Sequence, residues 1–265
     1  MLKKDFKIED KGSGLCVMTN AFDVDQDMLF EYINWLKQEE QDTFTYLEEN
    51  GVKYAINRTG FKFDLSLVRD APERFIDPLC KMSDRKPTAE QCRLIYDLED
   101  LIYEALVEYV KIYNVAATVC WWRSPGHIAT YSDGQKIGPH CDDQIAWEYG
   151  IASANEYPKH SKISINIYLN DGVDSEEELN GRNFLGGDIV FKYAKHRHKP
   201  KMGSLVIYPT NYVGTHEVDP VTAGKRIAYL GAYLYGTPTH ASPVPEIGEE
   251  RIWLQNLKKD AGLQY

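Results

Sequence analysis

Apolar residues recur at helical spacing over residues 26 to 40, where Leu29, Tyr32, Ile33 and Leu36 fall on one face and Asp25 can cap the start. A longer stretch of the same kind runs from about 89 to 113. There Ile95, Leu98, Leu101, Ile102, Leu106 and Tyr109 share a face, and Thr88 with Gln91 has capping-box spacing behind Pro87. Residues 43 to 87 mix their patterns, with strand-like pieces near 54–56 and 60–65 and a loop over 77–86. From Ala116 the period changes. Short runs rich in Val, Ile, Tyr and Thr alternate with Gly, Asp and Asn turns, which predicts strands near 116–122, 127–132, 162–169, 188–193, 203–208, 213–217 and 225–235. A short helix is expected near 248–258.

Helices that precede the strands, rather than alternating with them, exclude a doubly wound parallel sheet. They favour an α+β fold in which helices back one sheet of a sandwich, jelly roll or barrel. No Pro/Gly/Ser linker interrupts the chain, so a single domain is expected over residues 1–265. In it, 1–115 is mainly helical support, 116–236 the β core and 237–265 a tail.

Composition removes several classes of function. The 265 residues carry a formal net charge of −10, which argues against a nucleic-acid partner. The one basic stretch, 192–201, reads as a solvated hairpin. No apolar run reaches 18 residues, so no membrane span is expected. The opening residues lack an apolar segment of the secretory kind, and the five cysteines are odd in number and scattered. Both point to a reducing cytoplasm.

Candidate chemistry centres on His140-Cys141-Asp142 and His216. If His140 and Asp142 lie on one strand, their i, i+2 spacing puts them on one face. Two imidazoles and one carboxylate leave coordination positions open, an arrangement suited to Fe(II), although the ligand types also admit Zn, Mn or Ni. Arg226 opens the apolar run Arg226-Ile-Ala-Tyr-Leu-Gly-Ala-Tyr-Leu. A guanidinium at the head of a buried strand needs an anion, and its planar fork suits a carboxylate. The alternative, an edge Arg paired with an acidic residue of the protein, stays open at this point.

Several segments together resemble one family. Tyr131-Ser-Asp-Gly-Gln-Lys-Ile-Gly-Pro-His140-Cys-Asp142 is similar to the metal-site strand of the prolyl 4-hydroxylase-like 2-oxoglutarate oxygenases. Ile167-Tyr-Leu-Asn-Asp171, Gly186-Gly-Asp-Ile-Val-Phe191, Gly203-Ser-Leu-Val-Ile-Tyr208 and His216-Glu-Val-Asp-Pro-Val-Thr-Ala-Gly-Lys-Arg226 resemble the segments that follow it, in order, across roughly residues 118 to 236. The resemblance implies a double-stranded β-helix, iron on His140, Asp142 and His216, and the far carboxylate of 2-oxoglutarate on Arg226 with help from Tyr131. Many prolyl 4-hydroxylases carry Lys at the Arg226 position, and Arg occurs in related branches. Lys225 is expected on the opposite face.

The implied reaction consumes dioxygen and 2-oxoglutarate and hydroxylates an unactivated C–H bond, with ascorbate as an accessory cofactor. Halogenases of the superfamily carry Gly or Ala where this chain has Asp142, so hydroxylation is favoured. The substrate reading is open between a prolyl residue in a peptide or protein and a free amino acid or small metabolite. A non-catalytic cupin-like metal binder is the reading from another class, disfavoured by Arg226. Trp122, Arg123 and Trp147 are the candidate substrate contacts, with Trp121 and Tyr149 beside them and 143–160 as a candidate lid.

Overall fold

The computed structural model describes residues 2–39, 45–50, 52–56, 62–64, 68–69, 72–75, 78–80, 86–120, 122–123, 126–143, 160–235 and 249–263. Helix α1 (Gln26–Glu39) is capped by Asp25, whose Oδ1 accepts from the amides of Asp27 and Met28. Helix α2 (Ala89–Ile112) starts at the expected capping box, in which Thr88 Oγ1 and the Gln91 side chain satisfy each other's backbone amides.

The major sheet joins eight strands: β1 (Lys7–Asp10), β2 (Cys16–Thr19), β16 (Leu205–Pro209), β11 (His160–Tyr168), β19 (Arg226–Tyr235), β9 (His127–Tyr131) and β7 (Glu73–Phe75) in that order, with β8 (Trp122–Arg123) also on β19. The minor sheet has the order β15 (His196–His198), β14 (Ile189–Phe191), β17 (His216–Val218), β10 (Lys136–His140), β6 (Val68–Arg69). Two three-stranded sheets, β12 (Gly172–Val173) with β13 (Phe184–Gly186) and β18 (Val221–Gly224), and β3 (Thr45–Glu49) with β4 (Val52–Ile56) and β5 (Lys62–Asp64), complete the strands. All pairings except β12 with β13 are antiparallel.

Alternation along β19 divides the core in two. Ile227, Tyr229 and Tyr233 pack outward into a cluster with Leu29, Ile33, Ile102 and Leu106 of the helices. Ala228 and Leu230 face inward, where Ala129, Tyr131 and Tyr168 of the major sheet meet Ile137, Ile189, Phe191 and Val218 of the minor one. This is the jelly-roll arrangement that the resemblance implies: two sheets face to face, with helices behind one of them.

Three expectations need correction. Residues 114–119 form a 3-10 helix, Asn114–Val119, rather than the start of a strand. The segment continues directly from α2, and its small Ala116 and Ala117 let it tuck against the cluster around that helix. Secondly, the expectation of mainly helical support over 1–115 left out strands β1 to β7, of which β1, β2, β6 and β7 extend the two main sheets. These strands are two to four residues long, too short for period-2 alternation to stand out. Finally, strand β10 ends at His140, so Asp142 lies in the turn beyond it. The basic stretch is the expected hairpin of β14 with β15, and α3 (Glu249–Asp260) lies where a C-terminal helix was expected.

Candidate metal and cosubstrate site

His140 and His216 are register partners on β10 and β17. Their rings lie 4.4 Å apart between centroids. In each, Nδ1 sits at its own backbone: 2.8 Å from the Gly138 carbonyl for His140 and 3.0 Å from the Gly214 carbonyl for His216. Carbonyls only accept, so Nδ1 carries the proton and Nε2 presents a lone pair. Both Nε2 atoms face the same carboxylate oxygen, Asp142 Oδ1, at 3.6 Å and 3.9 Å.

The other oxygen, Asp142 Oδ2, is occupied by protein. It accepts from Ser164 Oγ at 2.6 Å and Tyr208 Oη at 3.1 Å. Asn166 Nδ2 in turn donates to Tyr208 Oη at 3.2 Å. Ser164 and Tyr208 are themselves register partners on β11 and β16. The convergence of Asp142 on the histidines is therefore made by the major sheet reaching across to a turn of the minor one, not by alternation within one strand.

Electrostatics agree with this donor set. Burial and the adjacent His216 push His140 down to about 4, which leaves it neutral near pH 7. Burial alone would raise Asp142, but His216, His140 and the hydroxyls of Ser164 and Tyr208 outweigh it and hold the carboxyl below its usual value. Burial beside Asp142 raises Tyr208 far above the ordinary phenol range, so it stays a donor. Nε2, Nε2 and Oδ1 belong to the one group of three such side chains, among the described residues, whose ligand atoms all lie within 4.8 Å of one another. Neutral imidazoles and an ionised carboxylate are the protonation states a divalent cation requires.

Further along the inner face lies Arg226, 2% exposed. Its guanidinium carbon stands 4.8 Å from the ring centre of Tyr131, its register partner, and 5.3 Å from that of Tyr168. Arg226 Nε and Tyr168 Oη are buried without a hydrogen-bond partner among the described residues. Gly187, at φ +65°, makes room for the arm, since a Cβ there would stand 3.0 Å from Arg226 Cδ. Lys225 points the other way, as expected, toward Lys37 and Glu73 on the helix side.

The substrate candidates fare differently. Arg123 turns to the helix face, where it pairs with Glu99 of α2 at 2.8 Å. Its register partner is the outward Tyr233, so it is withdrawn from the site. Trp147, Tyr149, Trp121 and the Trp122 side chain lie outside the described residues, as does most of the candidate lid. The sequence reading missed Ser164, Asn166, Tyr208 and Tyr168, which sit at inward positions of predicted strands. Period-2 alternation from Arg226 through its register partners would have placed them on that face.

Residues 126–233 match the model of the 2OG-Fe(II) oxygenase superfamily. A PKHD-type hydroxylase of Stenotrophomonas maltophilia is 28% identical over 134 residues, 50% of this chain and 52% of that one. One from Xylella fastidiosa is 30% identical over 115 residues, 43% of this chain and 45% of that one. The chain thus spans about half the length of the curated relatives it matches. Among solved structures, a prolyl hydroxylase from Trichoplax adhaerens, in complex with a peptide fragment of the hypoxia inducible factor oxygen degradation domain, superposes with a TM-score of 0.55. The identity is 15%, over 84% of both chains. The family-model match is thus confined to residues 126–233, and the likeness to the Trichoplax structure is one of fold.

Proposed function

We propose that the chain is an Fe(II)- and 2-oxoglutarate-dependent hydroxylase in which His140, Asp142 and His216 hold the iron and Arg226, with Tyr131, holds the cosubstrate. One observation carries this reading. A three-ligand facial cluster and a buried guanidinium with an unpartnered Nε line the same inner surface. A non-catalytic metal binder has no use for the second feature.

Bound Fe(II) with 2-oxoglutarate and dioxygen supplies the oxidising chemistry that decarboxylates 2-oxoglutarate to succinate and hydroxylates a C–H bond. The protein's own part is positioning. Gly138 and Gly214 aim the two Nε2 atoms, while Ser164 and Tyr208 fix Asp142 so that only Oδ1 is free. Arg226 fixes one end of the cosubstrate by a charge-assisted fork. Asp142 stands where halogenases of the superfamily carry Gly or Ala, which favours hydroxylation. Residues outside 116–236 complete both main sheets, in keeping with one domain over the whole chain.

The first substrate class to test is a prolyl residue in a peptide, the kind of ligand in the Trichoplax structure's title. A free amino acid is the second. Anaerobic Fe(II) and 2-oxoglutarate should together give a visible charge-transfer band, and air should then yield succinate. His216→Ala should show neither. Succinate formation that does not require Fe(II), or an unchanged His216→Ala variant, would refute the assignment.

A further inference from the structure

Strand β7 forms the edge of the major sheet and pairs Glu73, Arg74 and Phe75 with Thr130, Ala129 and Ile128 of β9. Phe75 and Ile128 belong to the outer cluster and Ala129 to the inner one, so Arg74 leaves the strand on the inner side. His127 shares that face with Ala129 and Tyr131. Arg74 Nη1 lies 2.7 Å from His127 Nε2. A guanidinium can only donate, so Nε2 accepts and the imidazole is neutral. Burial and the Arg74 charge push His127 down to about 3, in agreement with this, and the charges of Asp142 and Arg74 bear on His127 and His140 respectively.

Arg74 is therefore a cation whose partner is a neutral ring. None of the ion pairs among the described residues includes it, and its Nε is buried without a hydrogen-bond partner. Arg74 is half-buried; arginine cannot shed its proton, and a guanidinium partly withdrawn from water without an anion is costly. The missing anion is not the end of the cosubstrate assigned to Arg226. That residue starts β19, two strands away from β7, and its guanidinium lies by Tyr131 and Tyr168, whereas that of Arg74 lies at His127.

We propose, on the oxygenase reading above, that Arg74, held by His127, receives a carboxylate of the substrate beside the metal triad. The substrate class is then an acid: either a free amino acid, through its α-carboxylate, or a peptide with an acidic side chain near the reacting residue. His127 is a positioning residue, since it touches Arg74 and sets the direction of its fork.

The test uses the full chain loaded with Zn(II) and 2-oxoglutarate, which reads binding without turnover, and the same chain with Fe(II) in air. Two probe sets are titrated by calorimetry: the free L-amino acids against their C-terminal amides, and prolyl pentapeptides with Glu against Gln next to proline. At least one acid should bind roughly ten- to a hundred-fold more tightly than its uncharged partner. Which set shows the preference identifies the source of the carboxylate. In Arg74→Gln the preference should fall to within about twofold, while the 2-oxoglutarate Kd and the charge-transfer band stay unchanged. Arg74→Lys should restore part of it, and His127→Leu should weaken it without removing it. Equal binding of every acid and its uncharged partner, or a preference that survives Arg74→Gln, overturns the proposal. Absence of succinate formation with the acid preference intact overturns the oxygenase reading instead.

Discussion

The two faces of the major sheet are built from the same strands yet obey different rules. On the outer face, Ile227, Tyr229 and Tyr233 lock against α1 and α2, and the Tyr229 hydroxyl is met by Glu99. On the inner face, alternate residues of those strands include Arg226, Tyr168, Ser164, Asn166 and His127. Here buried polar atoms at Arg226, Tyr168 and Arg74 have no hydrogen-bond partner among the described residues. Among the described residues the outer-face positions of β19 leave no buried polar side-chain atom unpaired. On the proposed function the inner face is completed by ligands, since a buried polar group without a partner costs stability that a ligand can restore. Within the inner face the cluster of His140, Asp142 and His216 is the more finished, because each of these side chains already has a partner fixing it.

Substitutions at the two faces should separate the effects. The largest is expected at His216, where alanine removes a proposed metal ligand. Bound Fe(II), measured by metal analysis after desalting, and succinate formation should both be lost, and retention of either would break the distinction. Next is Arg226→Ala, which should raise the Michaelis constant for 2-oxoglutarate about thirty-fold to several-thousand-fold and leave Fe(II) affinity alone. Arg226→Lys should fall between, and Lys225→Ala, on the outer face, should do little. A reversed pattern at 225 and 226 would shift the register by one.

The outer face should respond in stability. Ile102 is fully buried against β19, so Ile102→Ala should cost about 2–5 kcal/mol in urea unfolding while turnover per folded molecule stays near wild type. A collapse of turnover with stability intact would contradict the assignment of the two faces. Ser164→Ala should do the opposite. It removes one of two donors to Asp142 Oδ2 and should weaken metal binding roughly ten- to a hundred-fold, with little change in unfolding.

The smallest effect is a pH slope. His198, stacked near Tyr168 on the inner side, is held down to about 4 from 6.5 by burial and by the neighbouring His196 and Arg226. The unfolded chain binds this proton first. The stabilising contribution is thus whole above about 6.5 and is lost as pH falls toward 4. His198→Gln should flatten the fall in urea midpoint over that window, and an unchanged slope would show that His198 does not titrate as buried.

The sequence by itself determined the elements with long or sharply punctuated patterns: α1, α2 with its capping box, and the strands β9, β11, β14, β16, β17 and β19. It also singled out His140, Asp142, His216 and Arg226 as candidates, through the His-x-Asp pair, the apolar run that Arg226 opens and the family resemblance that joins them. The expectation that Lys225 and Arg226 diverge needed nothing but strand alternation. Only the tertiary structure decided how Asp142 reaches the histidines, since the hydroxyls that hold it come from strands 22 and 66 residues away in the chain. It also decided that Arg123 serves the helix face and that Arg74 enters the site from a three-residue edge strand. Periodicity reports which face of its own element a residue occupies. Which elements become neighbours is set by pairing across the sheets, and long-range pairing leaves no local trace in a strand two or three residues long.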